Sequence, residues 1–228
     1  MSGDATEWDR VQLLTEPTRR AAYDVVRAAR RALTRDEVAA AAGISRRLAA
    51  FHLDLLAEGG LLTVDFARPP GRTGPGAGRP SKRYRVSEVE LELSLPPRRY
   101  DLAARVLARA VAEPGDGSPA DRAAAIARDE GRRIGMLRRQ GGRMSARRTL
   151  DAAAAALADV GYEPRADDGC VRLGNCPFHA ILDVAPPFVC TLNSDLVGGI
   201  LEGLGASDRV TAALDGVPPD CCVTVAKR

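Results

Sequence analysis

The sequence predicts a mainly α protein with a small β content, divided into residues 1–95, 96–148 and 149–228. Three observations carry that expectation. Near the N terminus, two helical patterns meet at a glycine turn and two short alternating stretches follow. Amphipathic helical periodicity then dominates from 98 to 160. Beyond residue 161 the pattern becomes mixed, and all five cysteines of the chain fall there.

Residues 1–9 are polar and read as frayed. Pro17 suits the first turn of a helix running to about residue 31 and burying Ala22, Tyr23, Val26 and Ala29. Thr34, with Glu37 three residues on, has the spacing of a capping box and opens a short helix that buries Val38 and Ala41. Gly43 ends it, Ile44 plugs the turn and Ser45 caps a second helix at 45–58. In that helix Leu48, Phe51, Leu55 and Leu56 recur at helical spacing and are expected inside, with Arg46, Arg47, Ala50 and Asp54 outside. Gly59-Gly60 stops it. Residues 61–66 alternate as a strand and 82–86 form a second. The Gly- and Pro-rich loop between them carries only positive charges: Arg68, Arg72, Arg79 and Lys82.

Two short helices at a glycine turn, a basic first turn on the second helix and a basic two-stranded wing describe a winged helix-turn-helix. Its expected partner is double-stranded DNA. Thr34, Ser45, Arg46, Arg47 and Ala50 would face the major groove. Arg72, Arg79 and Lys82 would follow the phosphates or enter a minor groove. The plainer alternative is a helical hairpin with solvated arginines.

Residues 87–95 alternate and are acidic, as a strand or an extended linker. After Pro96-Pro97, a helix over 98–113 places Leu102, Val106, Leu107 and Ala110 on one stripe. An amphipathic helix directly after a winged domain suits pairing with its twin, so 96–148 is expected to be a helical dimerisation region and the protein a homodimer; packing within its own chain is the alternative. Residues 114–119 read as a linker, 120–140 and 145–160 as helices, and Arg132, Arg133, Arg138 and Arg139 as a solvated face.

The last part reads as a small α+β sensor domain. Strands are expected near 162–164 and 170–173, a short helix at 177–184, an interruption at Pro186-Pro187, a helix at 189–204, and strands at 210–214 and 222–226. Cys176 and Cys190 would each open a helix, where exposed N–H groups favour thiolate. Cys221 or Cys222 would close the site from the last strand, whose alternation lets only one of the pair face inward. His179 stands three residues after Cys176 as a possible further ligand. Such a set on separate elements suits an iron–sulfur cluster (2Fe–2S or 4Fe–4S) or else zinc. Paired C-x-x-C motifs of a zinc ribbon are absent from the sequence. Cys170 sits in an apolar strand and reads as a small hydrophobe. Cys176 and His179 have no third orienting group or oxyanion motif beside them, so no enzyme activity is expected.

The net charge of +3 hides an asymmetry. Residues 1–100 carry 17 Lys+Arg against 13 Asp+Glu, 101–148 carry 11 against 6, and 149–228 carry 5 against 11. The first two parts suit a polyanion and the last does not. With a polar N terminus and no apolar run of membrane length, a cytoplasmic location and no membrane contact are expected. In that compartment, structural disulfides are not expected.

Taken together, the winged helix, the Gly78-Arg79-Pro80 wing with Tyr84 after it, the Arg98-Arg99-Tyr100 helix start and the late Asn175-Cys176-Pro177, Cys190 and Cys221-Cys222 resemble the SufR-type and related ArsR-like regulators over nearly the whole chain. The resemblance implies a dimeric transcriptional repressor holding an iron–sulfur cluster, with Cys176, Cys190 and Cys221 at the ligand positions. This chain departs from the pattern in His179 after Phe178, the doubled terminal cysteine and Cys170. A zinc site, a thiol switch or a small-molecule effector in place of the cluster would leave the same type of regulator.

Overall fold

The structure, a computed structural model, describes residues 6–67, 80–139, 145–167 and 169–228. It is mainly helical with two small antiparallel sheets, as the sequence predicts. Among the described residues, no helix is long and apolar enough to cross a membrane. Its contacts divide into two compact units, Met1–Leu93 and Ser94–Arg228.

In the first unit, α1 (Glu7–Leu13) and α2 (Pro17–Ala29) precede β1 (Leu33–Thr34), α3 (Arg35–Ala42), α4 (Arg46–Glu58), β2 (Leu62–Ala67) and β3 (Ser81–Val86). The strands form one sheet in the order β1-β3-β2, with Leu33 opposite Tyr84 and Val64 opposite Tyr84 from the other side. Of residues 1–9, expected to be frayed, 1–5 lie outside the described residues and 7–9 are helical: Thr6 caps α1 and Asp9 returns the bond. Thr34 and Glu37 make the capping box expected of them, and Gly43, at φ 67°, turns the chain into α4 where glycine carries no Cβ penalty. The core joins Ala22 and Val26 of α2 to Val38, Leu53, Leu56, Leu62 and Tyr84.

The inner stripe of α4 is not the expected one. Ala49, His52, Leu53 and Leu56 are buried, whereas Leu48 is 39% and Phe51 56% exposed. Both sets have helical spacing. Treating His52 as polar shifts the inferred phase by one residue, yet its ring lies in the core with Nε2 3.6 Å from Glu16 Oε2, the carboxylate that caps α2. In α3, Val38 and Ala39 are buried and Ala41 is not.

The second unit contains α5 (Tyr100–Ala112), α6 (Pro119–Leu137), α7 (Ala146–Ala158), β4 (Pro164–Asp167), β5 (Cys170–Leu173), α8 (Pro186–Leu204), β6 (Val210–Ala213) and β7 (Thr224–Lys227). Its antiparallel sheet has the order β4-β5-β7-β6. Helices α6 and α8 touch backbone to backbone. A Cβ on Gly131 would stand 2.2 Å from Leu196 O, and one on Gly199 2.0 Å from Arg128 O. Gly135 and Gly203 repeat the contact one turn on. Arg128 and Arg132 both pair with Glu202 along this seam, at 2.5 and 2.6 Å.

This packing corrects the expected division at 148/149. Leu102, Val106 and Ala110 of α5 lie in the same core as α6, α8 and the sheet, so the stripe expected to dimerise is covered by its own chain. Leu107 falls outside it, 37% exposed. Residues 114–119 connect two helices within one unit, and the break in contacts comes earlier, after Leu93. Arg132, half-buried, joins the seam instead of a solvated face, whereas Arg133, Arg138 and Arg139 are exposed as expected, Arg138 pairing with Asp159.

Candidate functional site

Four of the five cysteines line one cavity of about 600 Å³ in the second unit. Cys176 lies in the turn after β5, Cys190 on α8, and Cys221 and Cys222 in the bend before β7. The turn is fixed by Asn175, which is buried. Its amide nitrogen donates to Pro97 O and Gly161 O, each at 2.7 Å, and its oxygen accepts from Arg98. Arg98 also donates to Cys176 O at 2.8 Å. On the opposite wall, Cys221 N–H donates to Leu173 O at 2.7 Å and Gly216 N–H to Cys222 O at 3.0 Å. A Cβ on Gly216 would meet Cys221 O at 1.8 Å, so the bend passes against glycine.

Asn193 lies one turn after Cys190 on the same face of α8 and is wholly buried. Its amide donates to Cys221 Sγ at 3.0 Å and reaches Cys176 Sγ at 4.0 Å, while its oxygen accepts from the Tyr162 hydroxyl. Hydrogen bonds from the Cys176 and Cys222 thiols, stronger than the opposing effect of burial, hold the Cys221 thiol well below its ordinary pKa; Asn193 adds to them. Donation to Cys221 and burial push Cys176 well above its ordinary value. The same two causes, with a bond to Cys190, raise Cys222. Burial, and then the neighbouring thiols, raise Tyr162. The arrangement is thus a hydrogen-bonded cluster in which two thiols and an amide converge on Cys221. Among the described residues, no group of three or more His, Cys, Asp or Glu side chains is set as it stands to hold a metal ion.

Several expectations about this site are corrected. Cys176 precedes a short 3-10 turn, His179–Ile181, and opens no α-helix. Cys190 is the fifth residue of α8, because Pro186 and Pro187 start that helix where their missing N–H groups are harmless. Neither thiol therefore stands at the first turn of an α-helix, and the cysteine held below its ordinary pKa is Cys221. The last strand begins only at Thr224, so Cys221 and Cys222 escape strand alternation and both face the cavity. His179 is exposed at the rim, its backbone N–H donating to Cys176 O at 3.1 Å. Cys170 stands apart on β5, with Sγ 2.9 Å from Asp167 O. Asn193 and Tyr162 escaped the sequence reading. Their one signal is an Asn inside the apolar stripe of α8, three residues after a cysteine.

In the first unit, a groove of about 390 Å³ lies beside the starts of α3 and α4, lined by Thr34, Arg46, Phe66 and Lys82 among others. The Thr34 and Ser45 side chains serve as helix caps, accepting from Glu37 N at 3.3 Å and Leu48 N at 3.2 Å. Arg46 pairs with Asp36 at 2.6 Å. Arg47 is exposed and forms no ion pair among the described residues, and Ala50 is half-buried. Lys82 is held by Asp54 at 2.5 Å, and Tyr84 donates to the same oxygen at 2.7 Å. Arg72 and Arg79 lie outside the described residues.

No protein-family model, curated protein or solved structure matches the chain.

Proposed function

We propose that the protein is a DNA-binding transcriptional regulator, a repressor of the SufR or ArsR-like type, whose second unit senses iron–sulfur or redox status. The observation that carries the DNA reading is the corner between α3 and α4. A left-handed Gly43 joins two capped helices, and the second begins with exposed Arg46 and Arg47. The sheet β1-β3-β2, with β1 before α3 and β2 and β3 after α4, supports a winged helix-turn-helix in which α4 is the helix for the major groove. One such unit contacts too few base pairs for a specific site, so the acting species is a homodimer. The α5 stripe no longer argues for it.

The sensing reading rests on four thiols around one cavity, with Cys221 held below its ordinary pKa by hydrogen bonds from its neighbours. By ligand type these donors suit a soft metal centre, although as they stand they form no ligand group among the described residues. Cys176, Cys190, Cys221 and Cys222 would hold it, with His179 at the rim. A bound iron–sulfur cluster would supply an oxidant-sensitive redox couple, whereas zinc would supply structure alone. Asn193 and Asn175 orient the thiols, and the apolar wall limits water. A second reading, a thiol switch, is favoured by the contact of Cys221 with two neutral thiols: two-electron oxidation by a peroxide-class oxidant would join Cys221 to one of them.

Anaerobically purified protein separates these readings. Visible absorbance with iron and sulfide, lost in Cys176→Ser, Cys190→Ser and Cys221→Ser but kept in Cys170→Ser, supports the cluster. Zinc alone supports the zinc site, and a reversible disulfide without metal supports the switch. Full iron loading of Cys176→Ser or Cys190→Ser refutes the cluster site. For the DNA reading, Arg47→Ala should weaken binding to an enriched duplex roughly tenfold, as loss of one base or phosphate contact does. A chain that enriches no duplex is not a sequence-specific regulator.

A further inference from the structure

We infer that Phe51, with Leu48 beside it, is a specificity-determining residue that reads thymine through its C5-methyl group. The inference rests on the DNA reading above and deepens it. The structure turns these two side chains outward, with exposures of 56% and 39%, while Ala49, His52, Leu53 and Leu56 take the inner face. Single exposed apolar side chains are ordinary on a protein surface. What distinguishes this pair is its company. Arg47 and Phe51 are four residues apart and Leu48 and Phe51 three, so all three share the outer side of α4.

The polar groups around that face are committed elsewhere. Asp36 is held by Arg46, Asp54 by Lys82 and Tyr84, and the Ser45 hydroxyl by the cap. The face therefore presents a cation without a carboxylate partner among the described residues, followed by a flat apolar ring and a branched aliphatic group. Its charge complements a phosphate-lined groove, not a basic protein surface. In the major groove the apolar feature on a base edge is the thymine methyl, and aromatic or aliphatic side chains meet it by excluding water. Arg47, one turn earlier on the helix, supplies the donor pair suited to guanine. The class of site is thus a duplex with a thymine placed where Phe51 passes.

The test starts from a duplex enriched from a randomised pool by the full-length, anaerobically purified chain. Each thymine is replaced in turn by deoxyuridine, which lacks only the methyl group. Wild type should lose about fourfold in affinity at one or two thymines, the worth of one methyl group removed from water. Phe51→Ala should bind the parent duplex more weakly and be indifferent to uracil at those positions. Arg47→Ala should keep the uracil effect, and Leu48→Ala should reduce it. The exposure of both apolar side chains leaves folding of these variants intact, checked by unchanged thermal unfolding. Indifference of wild type to every uracil, or a Phe51→Ala protein as sensitive as wild type, overturns the inference while leaving DNA binding standing. A chain that selects no duplex overturns both.

Discussion

Asn193 Nδ2 donates to Cys221 Sγ at 3.0 Å, from a side chain with no solvent exposure whose oxygen accepts the Tyr162 hydroxyl. One amide thus connects the Cys221 sulfur to a buried phenol. Replacing it with Leu, similar in volume, leaves the Tyr162 hydroxyl buried without a partner. The expected loss is about 1–3 kcal/mol, read as a lower urea midpoint. Equal urea midpoints for wild type and Asn193→Leu would show that the amide does not hold the phenol.

The seam between α6 and α8 gives a second expectation. A methyl group on Gly199 would sit 2.0 Å from Arg128 O, a backbone atom that cannot swing aside. Gly199→Ala should therefore cost at least about 1–3 kcal/mol, despite the better helix propensity of alanine. Gly198→Ala is the control: its Cβ meets only the Arg128 guanidinium, at 3.8 Å, and the variant should be neutral or slightly stabilising. Equal denaturation midpoints for the two variants would mean that the helices are further apart.

Leu102 makes a third. Fully buried in the core of the second unit, it cannot be a removable dimer contact. Leu102→Glu should unfold that unit, by more than about 3 kcal/mol, and should not yield a folded monomer. Circular dichroism with sedimentation distinguishes the outcomes, and a folded monomer would restore the stripe as an interface.

These cases mark what the sequence makes legible. Caps and breakers are local, so Thr34, Gly43 and Ser45 place helix ends to within a residue or two. The gathering of Cys176, Cys190, Cys221 and Cys222 was legible because soft ligand residues cluster in a chain otherwise poor in them. The phase of α4 was not, because a histidine occupies a core position. Nor was the partner of α5, since an apolar stripe is the same whether its own chain or a copy covers it. The G-x-x-x-G spacings of α6 and α8 were visible but acquire meaning only when the two helices are known to meet. The bend at Cys221-Cys222 depends on Gly216, five residues away, which no strand pattern reveals.

The last expectation concerns the first unit under acid. Asp54 joins α4 to β3 through Lys82 and Tyr84. Burial works against its charge, but the bonds from Lys82 and Tyr84 outweigh burial and hold its pKa below the ordinary aspartate value. The Tyr84 phenol is raised well above its usual value by burial, and by its bond to Asp54. In the unfolded chain the Asp54 carboxyl titrates near 3.9. Between that value and the lower folded one, the unfolded chain binds more protons, so stability rises with pH across the window. The contribution is complete above about pH 5 and is lost as pH falls through the folded value. Asp54 is nearly half exposed, at 45%, so screening keeps its share to about 1 kcal/mol or less. Tyr84→Phe removes a bond from a buried hydroxyl to a charged acceptor and should cost about 1–2 kcal/mol at neutral pH. Glu16, Glu37 and Asp65 are also held below their ordinary values, so wild type alone will show their combined loss in acid. The informative quantity is the difference in urea midpoint between wild type and Asp54→Asn. It should be constant above about pH 5 and shrink towards zero as pH falls below about 3.9. A difference that stayed constant through that window would mean that Asp54 does not titrate against Lys82 and Tyr84, and that β3 is held on α4 by its apolar contacts alone.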